Sequence, residues 1–373
     1  MNFTQLLQDL SKGFAAFSWG NALMILVGLV LIYLAIWKEY EPVLLLPIGF
    51  GCLLANLGMS NEVGFMKVIY DAGIKTELFP LLIFVGVGAM IDFSPLLSQP
   101  SLVLLGAAGQ FGIYFTLLLA ILLGFPLNEA AAIGSIGAID GPTAIFVGER
   151  LAPEIIAPIA VAAYSYMSLI PIIQPPVMRL MTTRKERLIR MEYSPKPVSR
   201  LTLVLFPILV TLLVALVAPD AAPLMAALML GNLLREALVV DRLSKTAQNE
   251  LINIATLFLG LAIGSTMTAQ SFLNLDTIFI LALGLLAFVI DTIAGLSFGK
   301  LMAVITKGKV NPLIGACGIS AFPMAGRLSA KMALEEDPTN FILMHAMGAN
   351  TAGQLGSVIA GGLLLALVAG IGG

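Results

Sequence analysis

Asp140 is the side chain with the most chemistry to offer. It stands in the run I-G-A-I-D-G-P-T at 136–143, flanked only by apolar and small residues. An ionisable group in a membrane segment costs at least ~2.5–3.5 kcal/mol, so it is normally paired, protonated or bound to a cation. Gly137, Gly141 and Pro142 break the helix around it. A broken helix exposes carbonyl oxygens, which together with a carboxylate can coordinate a hard cation. Gly-Pro is also a turn signal, so the same run reads as a helix cap at a loop mouth.

A second run, I-G-A-C-G-I-S-A-F-P-M-A at 314–325, repeats this backbone chemistry without the acid: Ala321 stands opposite Asp140, with Ser320 beside it. Asn311, Ser320 and, past the break, Arg327 are its polar groups. Neutral oxygens of this kind suit Na⁺, although Ser320 also reads as a packing residue and Asn311-Pro312 as a turn. Asn350, Thr351, Gln354 and Ser357 lie in G-A-N-T-A-G-Q-L-G-S at 348–357, which is either unwound or tightly packed. Tyr164, Ser165, Tyr166 and Ser168 form a comparable cluster ahead of Pro171, Pro175 and Pro176. Tyrosines near membrane ends are often interfacial anchors, a reading that fits Tyr166 less well because it lies several residues inside the run. Asp92 reads as interfacial, Asp291 as a deeper second-tier ion or proton group, and Arg235 and Glu236 as snorkelling residues.

The elements that position these residues are membrane helices. Of 373 residues 59% are hydrophobic and only 11% charged, with a mean hydropathy of +0.99. A soluble domain carries about 25% charged residues, so a soluble protein is excluded. The net charge of −2 gives no sign of nucleic-acid binding. Apolar runs near 20–37, 42–58, 78–97, 101–124, 155–180, 201–218, 222–239, 252–273, 276–298 and 341–370 are long enough to suggest spans at roughly 20 residues each. The runs 128–149 and 310–325 contain Pro142 and Pro323 and read as broken or re-entrant. An all-α polytopic membrane protein of about 10–12 segments is expected.

The halves are related. Residues 133–144 and 314–325 agree at five of twelve positions, Gly51-Cys52-Leu53-Leu54 aligns with Gly231-Asn232-Leu233-Leu234, and Phe84 and Gly86 align with Phe258 and Gly260. Nearly constant offsets argue for an internal repeat. Twelve full crossings would make it parallel, and two re-entrant segments would make it inverted. The helix breakers favour the inverted form, in which sites form where discontinuous helices meet. The basic loop holding Arg179, Arg184, Lys185, Arg187, Arg190, Lys196 and Arg200 is placed in the cytoplasm by the positive-inside rule. The expected division is 1–41 (N-terminal segment and first transmembrane helix), 42–180 (first repeat), 181–200 (basic cytoplasmic loop) and 201–373 (second repeat).

Cys52 and Cys317 sit in apolar runs and read as small core residues, and with one histidine, His345, a triad or histidine metal site lacks material. No Walker, GxSxG, CxxC or HExxH pattern occurs. Energy must then come from an ion gradient or a partner. No A-x-A-like cleavage site is found in the first 19 residues, so no removable signal peptide is expected.

G-A-I-D-G-P-T at 137–143, A-Y-S-Y-M-S-L-I-P-I-I-Q-P-P at 163–176 and M-H-A-M-G-A-N-T-A-G at 344–353 resemble the β subunit of biotin-dependent sodium-pumping decarboxylases, the oxaloacetate, methylmalonyl-CoA and glutaconyl-CoA enzymes. The resemblance runs from about residue 20 to the C-terminus. It implies that a carboxyltransferase subunit loads a biotin carrier subunit, and that this chain decarboxylates the delivered carboxybiotin, consumes a proton and exports Na⁺. No tightly bound cofactor on this chain is implied. A small membrane accessory subunit, assembly as a homo-oligomer within the complex and a multi-pass position in the bacterial cytoplasmic (inner) membrane are implied too. The family's essential aspartate matches Asp140. Its second-half asparagine, glycine, serine and arginine match Asn311, Gly315, Ser320 and Arg327. Its tyrosine matches Tyr166 and its later asparagine matches Asn350. The short loop at 181–200 looks more like the acyl-CoA members. Na⁺ is expected at Asp140, Asn311, Gly315, Ser320 and Asn350. Tyr166, Ser320 or Arg327 is expected to serve the proton side, with Arg327 orienting the carboxylate of carboxybiotin. The rival readings are a secondary Na⁺ transporter or Na⁺/H⁺ antiporter without chemistry, and a channel.

Overall fold

The computed structural model describes residues 17–191 and 197–372. The first sixteen residues, on which the signal-peptide expectation rests, and Lys196 of the basic loop lie outside the described residues, as does the side chain of Ser168. All regular structure among the described residues is helical. In hydrocarbon every backbone N–H and C=O must be satisfied within the segment, which selects helices.

The helices are α1 (Trp19–Trp37), α2 (Pro42–Asn56), α3 (Gly64–Gly73), α4 (Leu78–Met90), α5 (Pro100–Leu122), α6 (Leu127–Gly134), α7 (Gly141–Leu151), α8 (Ile156–Met181), α9 (Arg200–Val217), α10 (Ala222–Ala237), α11 (Asp241–Thr266), α12 (Leu275–Ile305), α13 (Met324–Glu336) and α14 (Leu343–Gly372). Six are long and apolar enough to cross a membrane, and eight spans result if the bent pair α3–α4 and bent α8 count as one each. The larger number expected from apolar runs included α2, the 16-residue α10 and the two broken runs. At 1.5 Å per residue α2 is only about 22 Å long. α1 and α9 bury only a small share of their residues, and the rest is surface that a bilayer can cover. α8 bends by 63° between Met167 and Leu169. Pro171 supplies the cause, because it has no N–H to give the carbonyl of Met167.

Glycines let backbones touch where helices cross. A Cβ on Gly264 of α11 would sit 2.2 Å from the carbonyl oxygen of Ile48 in α2. One on Gly88 of α4 would sit 1.8 Å from that of Leu228 in α10. Close small-residue crossings are the usual means of helix association in lipid. α2 and α11 run the same way, since Leu44 meets Gly260 and Asn56 donates to the carbonyl of Met267. α4 and α10 also run together, with Gly88 at Leu228 and Asn232 donating to the carbonyl of Ile91. α4 and α11 are antiparallel, with Phe79 stacked on Phe258 and Gly86 against Ile252. The sequence-matched helices α2 and α10 therefore run in opposite senses.

The basic loop does more than set topology. Thr183 caps a short helix, Arg184–Arg187. From there Arg187 pairs with Glu336 at 2.7 Å, Arg190 with Asp337 at 2.6 Å and Arg179 with Glu335 at 3.2 Å. Asn311 and Asn340 both donate to the carbonyls of Arg187 and Ile189. Hydrogen bonds from the Thr339 side chain and backbone, and then Arg190, hold Asp337 down to about 2. A depressed carboxylate contributes stability that is present above its ordinary value and lost as pH falls through the folded value, so this clamp stays closed across the neutral range and down toward about 2. Arg187→Ala should open it at neutral pH, with trypsin cutting the loop roughly tenfold faster; an unchanged cleavage rate would show that the loop is held by something else.

Candidate functional site

The two glycine- and proline-rich runs form broken hairpins. In the first, α6 continues as a 3₁₀ turn over Ser135–Ala138, Ile139 takes a left-handed φ of 51°, and Asp140 is extended before α7 starts at Gly141-Pro142. Proline at the second position of a helix suits it, since the N–H it lacks would have no partner there. In the second, a 3₁₀ helix over Pro312–Gly318 gives way to extended backbone at Ile319 before α13 begins at Met324. The breaks meet, with Ser320 N–H donating to the carbonyl of Ala138 at 3.4 Å.

One helix serves both breaks. On α14, Asn350 donates to the carbonyl of Ile319 at 2.7 Å, and the Gly353 carbonyl accepts from Ser320 Oγ at 3.1 Å. One turn on, Gln354 Nε2 and Ser357 Oγ donate to Asp140 Oδ2 at 2.9 and 3.1 Å, joined there by Thr143 Oγ1 at 2.7 Å. Residues 350, 353, 354 and 357 fall on one helical face. The stretch 348–357 is therefore continuous helix rather than unwound, and its glycines are the close contacts: a Cβ on Gly353 would lie 2.3 Å from the Gly318 carbonyl oxygen.

Asp140 is 6% exposed, and among the described residues no lysine or arginine pairs with it. Three neutral donors converge on Oδ2, while Oδ1 accepts no side-chain hydrogen bond among the described residues. The carboxyl lines a cavity of about 370 Å³ together with Ser320, Gln354 and Tyr164. An acceptor-only carboxylate held by dipoles alone, beside loose backbone, suits a monovalent cation.

The structure brings together only part of the expected site. Asp140 and Ser320 share the cavity, and Asn350 ties the second break, with its buried Oδ1 unpartnered. Asn311 lies at the far end of the 3₁₀ helix, ~14 Å from the break at ~2 Å per residue, and its side chain is spent on the basic loop and on Leu313 N–H. Gly315 is a packing glycine, since a Cβ there would meet the Gly295 carbonyl oxygen at 2.1 Å. Tyr166 points to α12, donating to the carbonyl of Leu281 and lying over Gly284. Arg327 is exposed on the second turn of α13 and forms no ion pair among the described residues. Asp291 is fully buried against Gly112, whose N–H it accepts, at the crossing of α12 and α5. Asp92 stands just past the end of α4, accepting from Ser94 N–H and lying 3.9 Å from Arg235.

Thr143, Tyr164, Gln354 and Ser357 are the residues that sequence reasoning did not assign to the site. Tyr164 lies on Gly141, where a Cβ would reach its ring at 2.1 Å. The signal for the α14 residues was the spacing of 350, 354 and 357.

Fold and site together define a polytopic α-helical membrane subunit organised around a buried carboxylate between two facing helix breaks. Residues 20–368 match the family model described as Na⁺-transporting oxaloacetate decarboxylase beta subunit. The chain is 54% identical to methylmalonyl-CoA decarboxylase subunit beta of Veillonella parvula, covering 96% of this chain and 95% of that protein. It is 52% identical to glutaconyl-CoA decarboxylase subunit beta of Acidaminococcus fermentans, covering 98% of each, and 46% identical to oxaloacetate decarboxylase beta chain 2 of Salmonella typhi, covering 94% and 95%. The chain belongs to this family of decarboxylase beta subunits, and it is a multi-pass protein of the bacterial inner membrane.

Proposed function

We propose that this chain decarboxylates carboxybiotin, presented by a partner subunit, and couples the reaction to Na⁺ export. In the reaction the N–CO₂⁻ bond breaks, its electron pair returns to the ureido nitrogen, that nitrogen takes one proton, and CO₂ leaves. Na⁺ is cargo. The observation that carries the reading is Asp140: a carboxylate buried among dipoles, with no cationic side chain beside it, facing a cavity.

Within this reading Asp140 charge-compensates Na⁺, with Ser320 and Asn350 supplying neutral oxygens from the second break. Among the three proton-side candidates only Ser320 lines the cavity. Tyr166 instead braces α8 on α12, Arg327 orients the carboxylate of carboxybiotin as a permanent cation, and Asn311 and Gly315 shape the second hairpin. Opposite senses of α2 and α10 support an inverted pair of repeats, 42–180 and 201–373, which alternate access to the breaks. A carboxyltransferase, a biotin carrier, a small membrane subunit and further copies of this chain complete the complex.

The test is decarboxylation of free carboxybiotin by the purified complex with and without Na⁺. Strict Na⁺ stimulation supports the pump; Na⁺ transport without turnover would return the chain to the class of plain transporters. Ser320→Ala removes one hydrogen bond, worth about 1 kcal/mol, and should raise the Na⁺ requirement roughly fivefold. An unchanged Na⁺ response would leave Ser320 a packing residue only.

A further inference from the structure

The cavity beside Asp140 does not end there. Its wall also includes Tyr164, Glu41 and, on α11, Gln248, Asn253 and Thr256. Asp140 is buried, Glu41 and Thr256 are half-buried, and Asn253 is exposed, so the polar lining leads from depth to surface. α11 begins at Asp241, and Arg235 in the last turn of α10 donates to the carbonyl of Met90 at the end of α4. Both belong to the end of the molecule that the positive-inside rule assigns to the cytoplasm. The exposed, stacked Tyr33 and Trp37 mark the interface at the end of α1, just before Glu41.

Three features of this wall are unexplained by folding. Glu41 holds the N-cap position of α2 with a left-handed φ of 35°, and its carboxylate makes no capping hydrogen bond. Non-glycine residues kept in that region are concentrated at functional sites. Among the described residues no lysine or arginine forms an ion pair with it. Finally, the hydroxyl of Tyr164 is buried without a hydrogen-bond partner, on a side chain only 6% exposed. Its ring lies against Gly141, the neighbour of Asp140, and it shares the cavity wall with Glu41. A buried hydroxyl left unsatisfied calls for a guest oxygen or cation.

We propose that Glu41 and Tyr164 form an outer cation site on the cytoplasmic route to Asp140, where Na⁺ dwells before reaching the inner carboxylate. Glu41 supplies charge that raises the local cation concentration at the mouth, a focusing effect of a low-dielectric cleft. Tyr164 supplies a neutral oxygen part-way along. Gln248, Asn253 and Thr256 offer further oxygens in place of lost hydration. The inference rests on the pump reading, and it assigns Glu41 a positioning role rather than a chemical one.

The experiment measures Na⁺ activation of carboxybiotin decarboxylation by the whole complex carrying Glu41→Gln or Tyr164→Phe, at several choline chloride concentrations, with Asp140→Asn beside them. Glu41→Gln should raise the Na⁺ concentration for half-activation about three- to tenfold at low ionic strength, with kcat kept within about twofold. The gap from wild type should close as choline chloride is raised, because mouth charges are screened. Tyr164→Phe should raise half-activation too, and the double variant should lose less than the product of the two. Glu41→Asp should recover most of the wild-type value. A lower kcat at unchanged half-activation, or a shift indifferent to salt, would mean a structural role and overturn the proposal, as would wild-type activation in both variants. If wild-type turnover is indifferent to Na⁺, the pump reading fails; if wild type is stimulated and Asp140→Asn is inactive while Glu41→Gln behaves as wild type, only the outer site fails.

Discussion

Asp140→Asn is expected to abolish Na⁺-dependent decarboxylation while the protein remains inserted and the complex assembled. The change is isosteric, and the amide oxygen can still accept from Thr143, Gln354 and Ser357, so the break keeps its shape. The amide nitrogen then takes the place of Oδ1, so a neutral group that donates stands where a charged acceptor stood. Removing one partner of a buried charge pair costs ~3–5 kcal/mol, which is on the order of 10²–10⁴-fold in Na⁺ affinity. Turnover with and without Na⁺, beside detergent gel filtration of the complex, checks both halves of the expectation. Retained Na⁺ activation would remove Asp140 from the mechanism. Loss of the assembled complex would make the residue structural.

Gly318→Ala should be nearly as damaging for a different reason. The new Cβ would stand 2.1 Å from the carbonyl oxygen of Leu105, which is backbone and cannot swing away. Gln110 Nε2 donates to the carbonyls of Gly106, Gly318 and Gly353, so α5, the second break and α14 are pinned at one point. Relieving the overlap costs about 1–3 kcal/mol by overpacking and moves Ser320 by ~1 Å, a displacement that can cost ~10²-fold in rate. Gly370→Ala, where a Cβ meets nothing, is the control and should be silent. Thermal unfolding and turnover should fall together in Gly318→Ala; wild-type activity with normal stability would mean that the breaks tolerate separation.

Composition alone made the membrane class legible, and the apolar neighbours of Asp140 marked the centre of the site. Helix breakers marked both hairpins. The expected residues that the structure places away from the cavity, and the unexpected ones it places there, differ in direction. Tyr164 and Tyr166 are two residues apart, about 200° around a helix, so they face opposite sides. The one deeper in the apolar run braces α12, while its neighbour lines the cavity. Asn311 is near Ser320 in sequence, yet a rigid 3₁₀ helix holds them apart. Gln110 was invisible because its three partners come from positions 106, 318 and 353. Long-range convergence of this kind leaves no local pattern.

α14 holds Asp140 through Gln354 and Ser357, and the opposite break through Asn350 and Gly353, within two turns of one rigid rod. Whatever tugs on one end of that stripe is felt at the other. By thermodynamic reciprocity, if Na⁺ at Asp140 tightens the hold on a carboxylated substrate near Ser320 by some factor, that substrate tightens the hold on Na⁺ by the same factor. A leak-free exchange of chemical for osmotic work requires that mutual grip, and here a single helix face connects the two ends.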